Sequence, residues 1–148
     1  MVFYPEYDSA LWGKIDTDYI PYIIFSMFLA AIGYFIFSFY FICFKKFQTL
    51  RISQYIYILS LYIVILFFST LWMPFSIGFI HTNNNFFLIL DLFSLYLVGV
   101  SSLLLTIFLI QDKVMRRRLI WKLSVLGGLQ FTFHTLLIDA IYWGVNFI

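Results

Sequence analysis

Long apolar runs separated by short polar clusters organise this chain. Residues 19–44, 54–80, 86–110 and 119–148 are dominated by Phe, Ile, Leu and Tyr, and the polar residues gather between them, at 45–53, 81–85 and 111–118. A helix needs about 20 apolar residues to cross the roughly 30 Å hydrocarbon layer of a bilayer, and each run reaches that length. Membrane barrel strands would be about 10 residues long with polar residues at every second position, a pattern these runs lack. Backbone groups in lipid must be satisfied within each segment. The pattern therefore predicts an all-α integral membrane protein with four transmembrane helices (19–44, 54–80, 86–110 and 119–148). Residues 1–18 form an acidic, aromatic N-terminal segment, and 19–148 a single transmembrane domain.

Punctuation within the runs refines this. Pro21 falls in a first helical turn, where its missing N–H costs nothing. Pro74 lies inside the second run and is expected to kink that helix or end it near Trp72. Ser26, Ala30, Gly33, Gly99, Ser102, Gly127 and Gly128 are the small residues at which helices are expected to approach closely. Tyr19, Tyr22, Tyr55, Tyr57, Trp72, Trp121, Tyr142 and Trp143 sit near predicted ends, where amphipathic rings favour the headgroup zone.

Composition narrows the class. The chain is 64% hydrophobic and 11% charged, with a mean hydropathy of +0.98, whereas soluble domains carry about 25% charged residues. A soluble enzyme, a nucleic-acid binder and a disordered tail are excluded. Cys43 is the single cysteine, so no intrachain disulfide and no zinc motif is expected. The acidic start lacks the basic and apolar regions of a secretory signal, and no cleaved leader is expected.

Charge sets the expected orientation. The first 18 residues hold Glu6, Asp8, Asp16 and Asp18 against Lys14. Lys45, Lys46 and Arg51 lie in the first loop, and Lys113, Arg116, Arg117 and Arg118 in the third with Lys122 just beyond. The second loop has neither Lys nor Arg. By the positive-inside rule both termini face the outer side and the two basic loops face the cytoplasm or matrix. Those basic residues are the candidate contacts for anionic phospholipid, cardiolipin among them, or for partner subunits.

Ionisable residues within spans are costly and are therefore the functional candidates. They are Asp91, His134 and Asp139. Asp91 falls about 7 Å below the outer end of the third span. Asp139 shares an α-helical face with Thr135 and Tyr142, and the two carboxylates are expected to share an outer-leaflet pocket or bond to neighbouring hydroxyls. His134 has Gln130 one turn before it, making these two the candidate cofactor-binding pair for a haem or quinone. His81, near the outer end of the second span, is about 20 Å too shallow to serve as a second ligand, so haem is not expected from this chain alone. With no phosphate loop, metal motif or hydrolase order of Ser, His and Asp, no catalytic residue, no metal and no cofactor is expected, and the chain reads as a non-enzyme.

The segment 61–81, LYIVILFFSTLWMPFSIGFIH, resembles the third helix of the translocator protein (tryptophan-rich sensory protein) family, with Leu61, Tyr62, Leu66, Trp72, Pro74 and Gly78 at the matching positions. Asp91 falls where that family opens its next helix with an acid, and FHTLLIDAIYW at 133–143 is similar to its last helix. That family's first helix has no counterpart here, and Ile65 and Ser69 stand where it has Gln and Asn. The resemblance implies a tetrapyrrole or sterol pocket lined by residues such as Trp72 and Asp91. A second resemblance is compositional: 20 Phe and 11 Tyr among abundant Ile and Leu look like membrane proteins encoded in AT-rich organelle genomes, of the divergent protist kind. This implies a non-catalytic integral subunit of a mitochondrial inner-membrane respiratory, energy-transducing complex. Its basic loops would face the matrix, its partners would be other membrane subunits, and Phe3, Tyr4, Tyr7 and Trp12 would dock against a partner.

Overall fold

A computed structural model of the chain describes residues 10–44, 51–112 and 118–147. Four helices are long and apolar enough to cross a membrane: α1 (Ile20–Cys43), α2 (Ile52–Thr82), α3 (Asn85–Ile110) and α4 (Leu119–Phe147). Pro21 opens α1 as the sequence suggests. The backbone N–H of Arg51 is taken by the Gln54 side chain at 3.2 Å, which closes the start of α2. Asn83 then adopts a left-handed conformation (φ 50°) and ends α2. Asn84 caps α3 by accepting the Phe86 N–H at 2.9 Å. Asn tolerates the left-handed region and its side chain mimics a backbone turn, so 82–85 reverses the chain in very few residues. Pro74 does not end its helix. α2 runs through it to Thr82, because only the bond that the Pro74 N–H would have made is missing and the flanking turns hold.

α4 changes geometry along its length. It is α-helical over Leu119–Thr132, π-helical over Phe133–Trp143 and α-helical again over Gly144–Phe147. A π-helical stretch this long is rare, and such segments concentrate at functional sites.

In space the helices follow the order α2, α3, α4, α1, each packed on the next. Successive contacts between α3 and α4 are Gly99 on Leu136, Ser102 on Thr135 at 3.0 Å and Thr106 on Thr132 at 3.0 Å. The two helices therefore run antiparallel. α1 lies antiparallel on the other flank of α4, through Ser26 on His134, Gly33 on Gly127 and Ser124 on the Ile36 carbonyl. A Cβ on Gly127 would lie 2.7 Å from the Gly33 carbonyl oxygen, and one on Gly33 would run into Gly127. Two bare backbones touch there, as small residues allow in apolar bundles. α1 meets α2 through rings, with Tyr34, Phe37 and Phe41 around Tyr62 at centroid distances of 6.3, 6.1 and 6.1 Å. The Tyr62 hydroxyl also reaches Ser38 at 3.1 Å.

Two core clusters stack along the bundle. One, around Phe37, Tyr40, Ile65 and Leu105, fills the end near the basic loops. The other, around Leu88, Leu95, Ala140, Trp143 and Phe147, fills the end that carries the termini. Residues 10–15 fold onto the second. The Trp143 indole donates to the Leu11 carbonyl at 2.9 Å, and the Lys14 N–H donates to the Asn146 carbonyl at 2.8 Å. Gly13, at φ +57°, passes so close to Asn146 and Phe147 that a Cβ would strike their backbone. Residues 10–15 thus have a docking surface within their own chain. Trp72 and Trp143 meet edge to face at 6.1 Å, so these two indoles serve the core.

Gly127→Val is expected to lower stability by about 1–3 kcal/mol, the usual cost of overpacking, while exposed Leu126→Val changes it little. Thermal unfolding in detergent, followed by helicity, checks this, and equal effects from the two variants would mean that α1 and α4 do not meet at their glycines.

Candidate functional site

Among the described residues, the ionisable groups buried within the bundle sit in three places, each built between helices. The richest is the α1–α4 seam. Gln130 Nε2 donates to Ser26 Oγ at 3.3 Å. Ser26 Oγ lies 3.1 Å from His134 Nδ1, and His134 Nε2 faces Asp139 Oδ1 at 3.4 Å. In one assignment the amide donates to the hydroxyl and the hydroxyl to Nδ1, which leaves the protonated Nε2 facing the carboxylate. His134 is buried, while the Asp139 side chain is 33% exposed. The cluster therefore begins inside the bundle and opens at its surface.

The π-helical segment creates this arrangement. At about 100° per residue an α-helix would place positions five apart roughly 140° from each other, with His134 and Asp139 pointing apart. A π-helix closes its bonds from i to i+5, which brings those two positions into line. The expected α-helical partners of Asp139, Thr135 and Tyr142, are correspondingly lost to it. Thr135 instead bonds to Ser102 and to the Phe131 carbonyl.

Asp91 forms the second place, between α2 and α3. It is fully buried. Ser76 Oγ lies 2.7 Å from Asp91 Oδ2 and 3.0 Å from the Trp72 carbonyl, while Asp91 Oδ1 is buried without a partner. Asp91 and Asp139 therefore take partners on different helices and form no shared carboxylate pair. Trp72, which the translocator resemblance would set beside a pocket with Asp91, is packed on Trp143.

The third place lies at the basic end. The Tyr40 hydroxyl donates to Asp112 Oδ2 at 2.8 Å, both groups being buried. The Trp121 indole closes the same corner by donating to the Leu109 carbonyl at 3.1 Å. Of the basic loop residues, Arg51, Arg118 and Lys122 are exposed. Lys45, Lys46, Lys113, Arg116 and Arg117 lie outside the described residues, as do Phe3, Tyr4 and Tyr7.

Chemically, the seam cluster is a closed set. Both ring nitrogens of His134 face protein groups, so binding a haem iron or a quinone oxygen would require one to be given up. Among the described residues no three His, Cys, Asp or Glu side chains are placed to hold a metal ion. Ser26, Tyr40, Ser76 and Asp112 are the participants that sequence reasoning missed. Ser26 is legible only as a small packing residue, and Tyr40 is one of many aromatics in an apolar run. No family model matches the chain, and no curated protein or solved structure is significantly similar to it.

His134→Ala removes the middle of the seam cluster and is expected to cost about 1–3 kcal/mol, as an unpaired buried polar group does. Asp139→Asn, which keeps an acceptor oxygen, is expected to cost less. Unfolding midpoints in detergent decide this; no loss from His134→Ala would show that the cluster does not hold α1 to α4.

Proposed function

We propose that this chain is an integral membrane subunit of a larger assembly, with a structural role and without catalysis of its own, and that the assembly is a respiratory complex of the mitochondrial inner membrane. The observation that carries the reading is the exposure of α1 and α2. Only 17% of the most apolar stretch of each is buried in the chain's own core, against 50% for α3 and 44% for α4. The exposed surface is rich in large rings, with Tyr22 74%, Phe25 64%, Phe35 69% and Phe67 57% exposed. Lipid covers such a surface, and so do the transmembrane helices of other subunits.

Three further features support the proposal. The intramembrane candidates Asp91, His134 and Asp139 are engaged with neighbouring side chains, as tertiary fasteners are. The eight basic residues of the first and third loop regions favour both termini on the intermembrane-space side, with the loops in the matrix. The Phe- and Tyr-rich composition suits an organelle-encoded product. The translocator-like alternative draws less support, because Trp72 and Asp91 are packed against protein.

Native electrophoresis of gently solubilised membranes, with mass spectrometry of the band, tests the proposal. The expected result is a band far above the 17.7 kDa of the chain, containing respiratory subunits. A small homo-oligomeric band that binds porphyrin would overturn it in favour of the translocator-like reading, and a Soret band lost in His134→Ala would favour a haem anchor.

A further inference from the structure

We infer that residues 10–15 act as a clamp that keeps α4 in its π-helical form, so that lifting this strap and separating His134 from Asp139 are a single event. The inference rests on contacts within the chain and not on membership of any assembly.

A π-helical segment needs its surroundings to hold it. Such helices are rare and mostly single turns, so eleven residues in this form, Phe133–Trp143, mark a place where neighbours override the α pitch. The Gly144 N–H closes the segment by donating to the Asp139 carbonyl, five residues before it. Return to the α form would add rotation at every residue, and along the segment the difference grows to a large part of a turn. Everything beyond Trp143 would swing about the helix axis, and Asp139 would turn away from His134.

The segment is fixed at both ends. At its start His134 lies on Ser26, Thr135 on Ser102 and Leu136 on Gly99. At its far end two sets of contacts meet it. Those with α3 are apolar, with Leu88 and Leu95 in one cluster with Ala140 and Trp143, and Leu92 against Gly144. Apolar contacts are non-directional, and a rotated helix can remake them.

The contacts with the strap are directional. The Trp143 indole donates to the Leu11 carbonyl at 2.9 Å. The Asn146 carbonyl, one of those a helix C-terminus leaves without an intrahelical partner, accepts the Lys14 N–H at 2.8 Å. Between these bonds Gly13 lies against the backbone of Asn146 and Phe147 at a φ of +57°, a conformation that favours glycine. Ile15 is buried in the cluster below and anchors the strap where it leaves α4. Sequence continuity then closes the clamp. The strap leads into α1, and α1 carries Ser26 to His134. One short stretch of chain, from Lys14 to Ser26, therefore holds α4 on both sides of the π-helical segment.

The test uses the full chain in nanodiscs. Gly13→Val drives a side chain into the Asn146 and Phe147 backbone and detaches the strap. Amides of 133–147 are then expected to exchange with deuterium about tenfold faster, while those of 119–132 keep their protection. The chain has two histidines. With isotopically labelled histidine, and His81→Gln for assignment, the His134 ring signals of Gly13→Val are expected to move toward those of Asp139→Asn. Free exchange of the strap with 133–147 and the His134 ring unchanged overturns the clamp. A second readout needs no variant and decides the matter if Gly13→Val does not fold. In the unmutated chain the amides of 10–15 and 133–147 are expected to open as one unit, with a common dependence on denaturant. A strap that opens alone, over a segment that stays protected, overturns the inference.

Discussion

The contact of two bare backbones at Gly33 and Gly127 is the constraint on which the rest of the α1–α4 half depends. α1 has its one extensive helix contact with α4, so its depth and rotation are set there. Side chains on one helix can meet only a narrow set on the other once two backbones touch. Ser26 then falls opposite His134, and Ile36 opposite Ser124. Tyr40, farther along the same face, reaches Asp112 at the far end of α3. A larger residue at either glycine would separate the helices, and hydrogen bonds near 3 Å do not survive such a shift.

Within an apolar bundle the hydrophobic effect does little to hold helices together, because lipid tails are as apolar as leucine. Directional groups must supply what burial does not. The α3–α4 interface does this with pairs of hydroxyls, Ser102 with Thr135 and Thr106 with Thr132. Ser102 and Thr135 each also have a backbone carbonyl of their own helix within reach, Gly99 and Phe131, so neither hydroxyl is stranded if the helices part slightly. The seam cluster is different in kind. It hydrogen-bonds Gln130, Ser26 and His134 in series and sets Asp139 beside the ring, and it needs a rare helical geometry to do so. Asp91 is the exception to full satisfaction, with one oxygen buried and unpartnered.

The two ends of the bundle are chemically unlike. At the terminal end residues 10–15 fold back onto Trp143 and Phe147, covering the core with the chain's own backbone. At the basic end the acid is drawn inward and the described cations remain at the surface.

The existence and limits of the four helices were legible in sequence because they depend on local quantities: run length, the Asn-rich reversal at 82–85, and Pro21 in a first turn. The small residues at helix contacts were legible for the same reason, since only they admit close approach. The helix neighbours were not, because runs apolar on every face carry no stripe to say which side meets protein. Pro74 reads in sequence as a kink or an end, yet its helix runs on to Thr82, because whether a helix stops or continues depends on its flanking turns. The pairing of His134 with Asp139 was hidden more deeply, since α-helical spacing separates them and nothing local announces the change of pitch. The sequence by itself determined where the chain can cross an apolar layer and where its charge lies. Tertiary structure alone decided which helices touch and which polar groups meet, because backbone approach and helical pitch are settled by packing between segments distant in the chain.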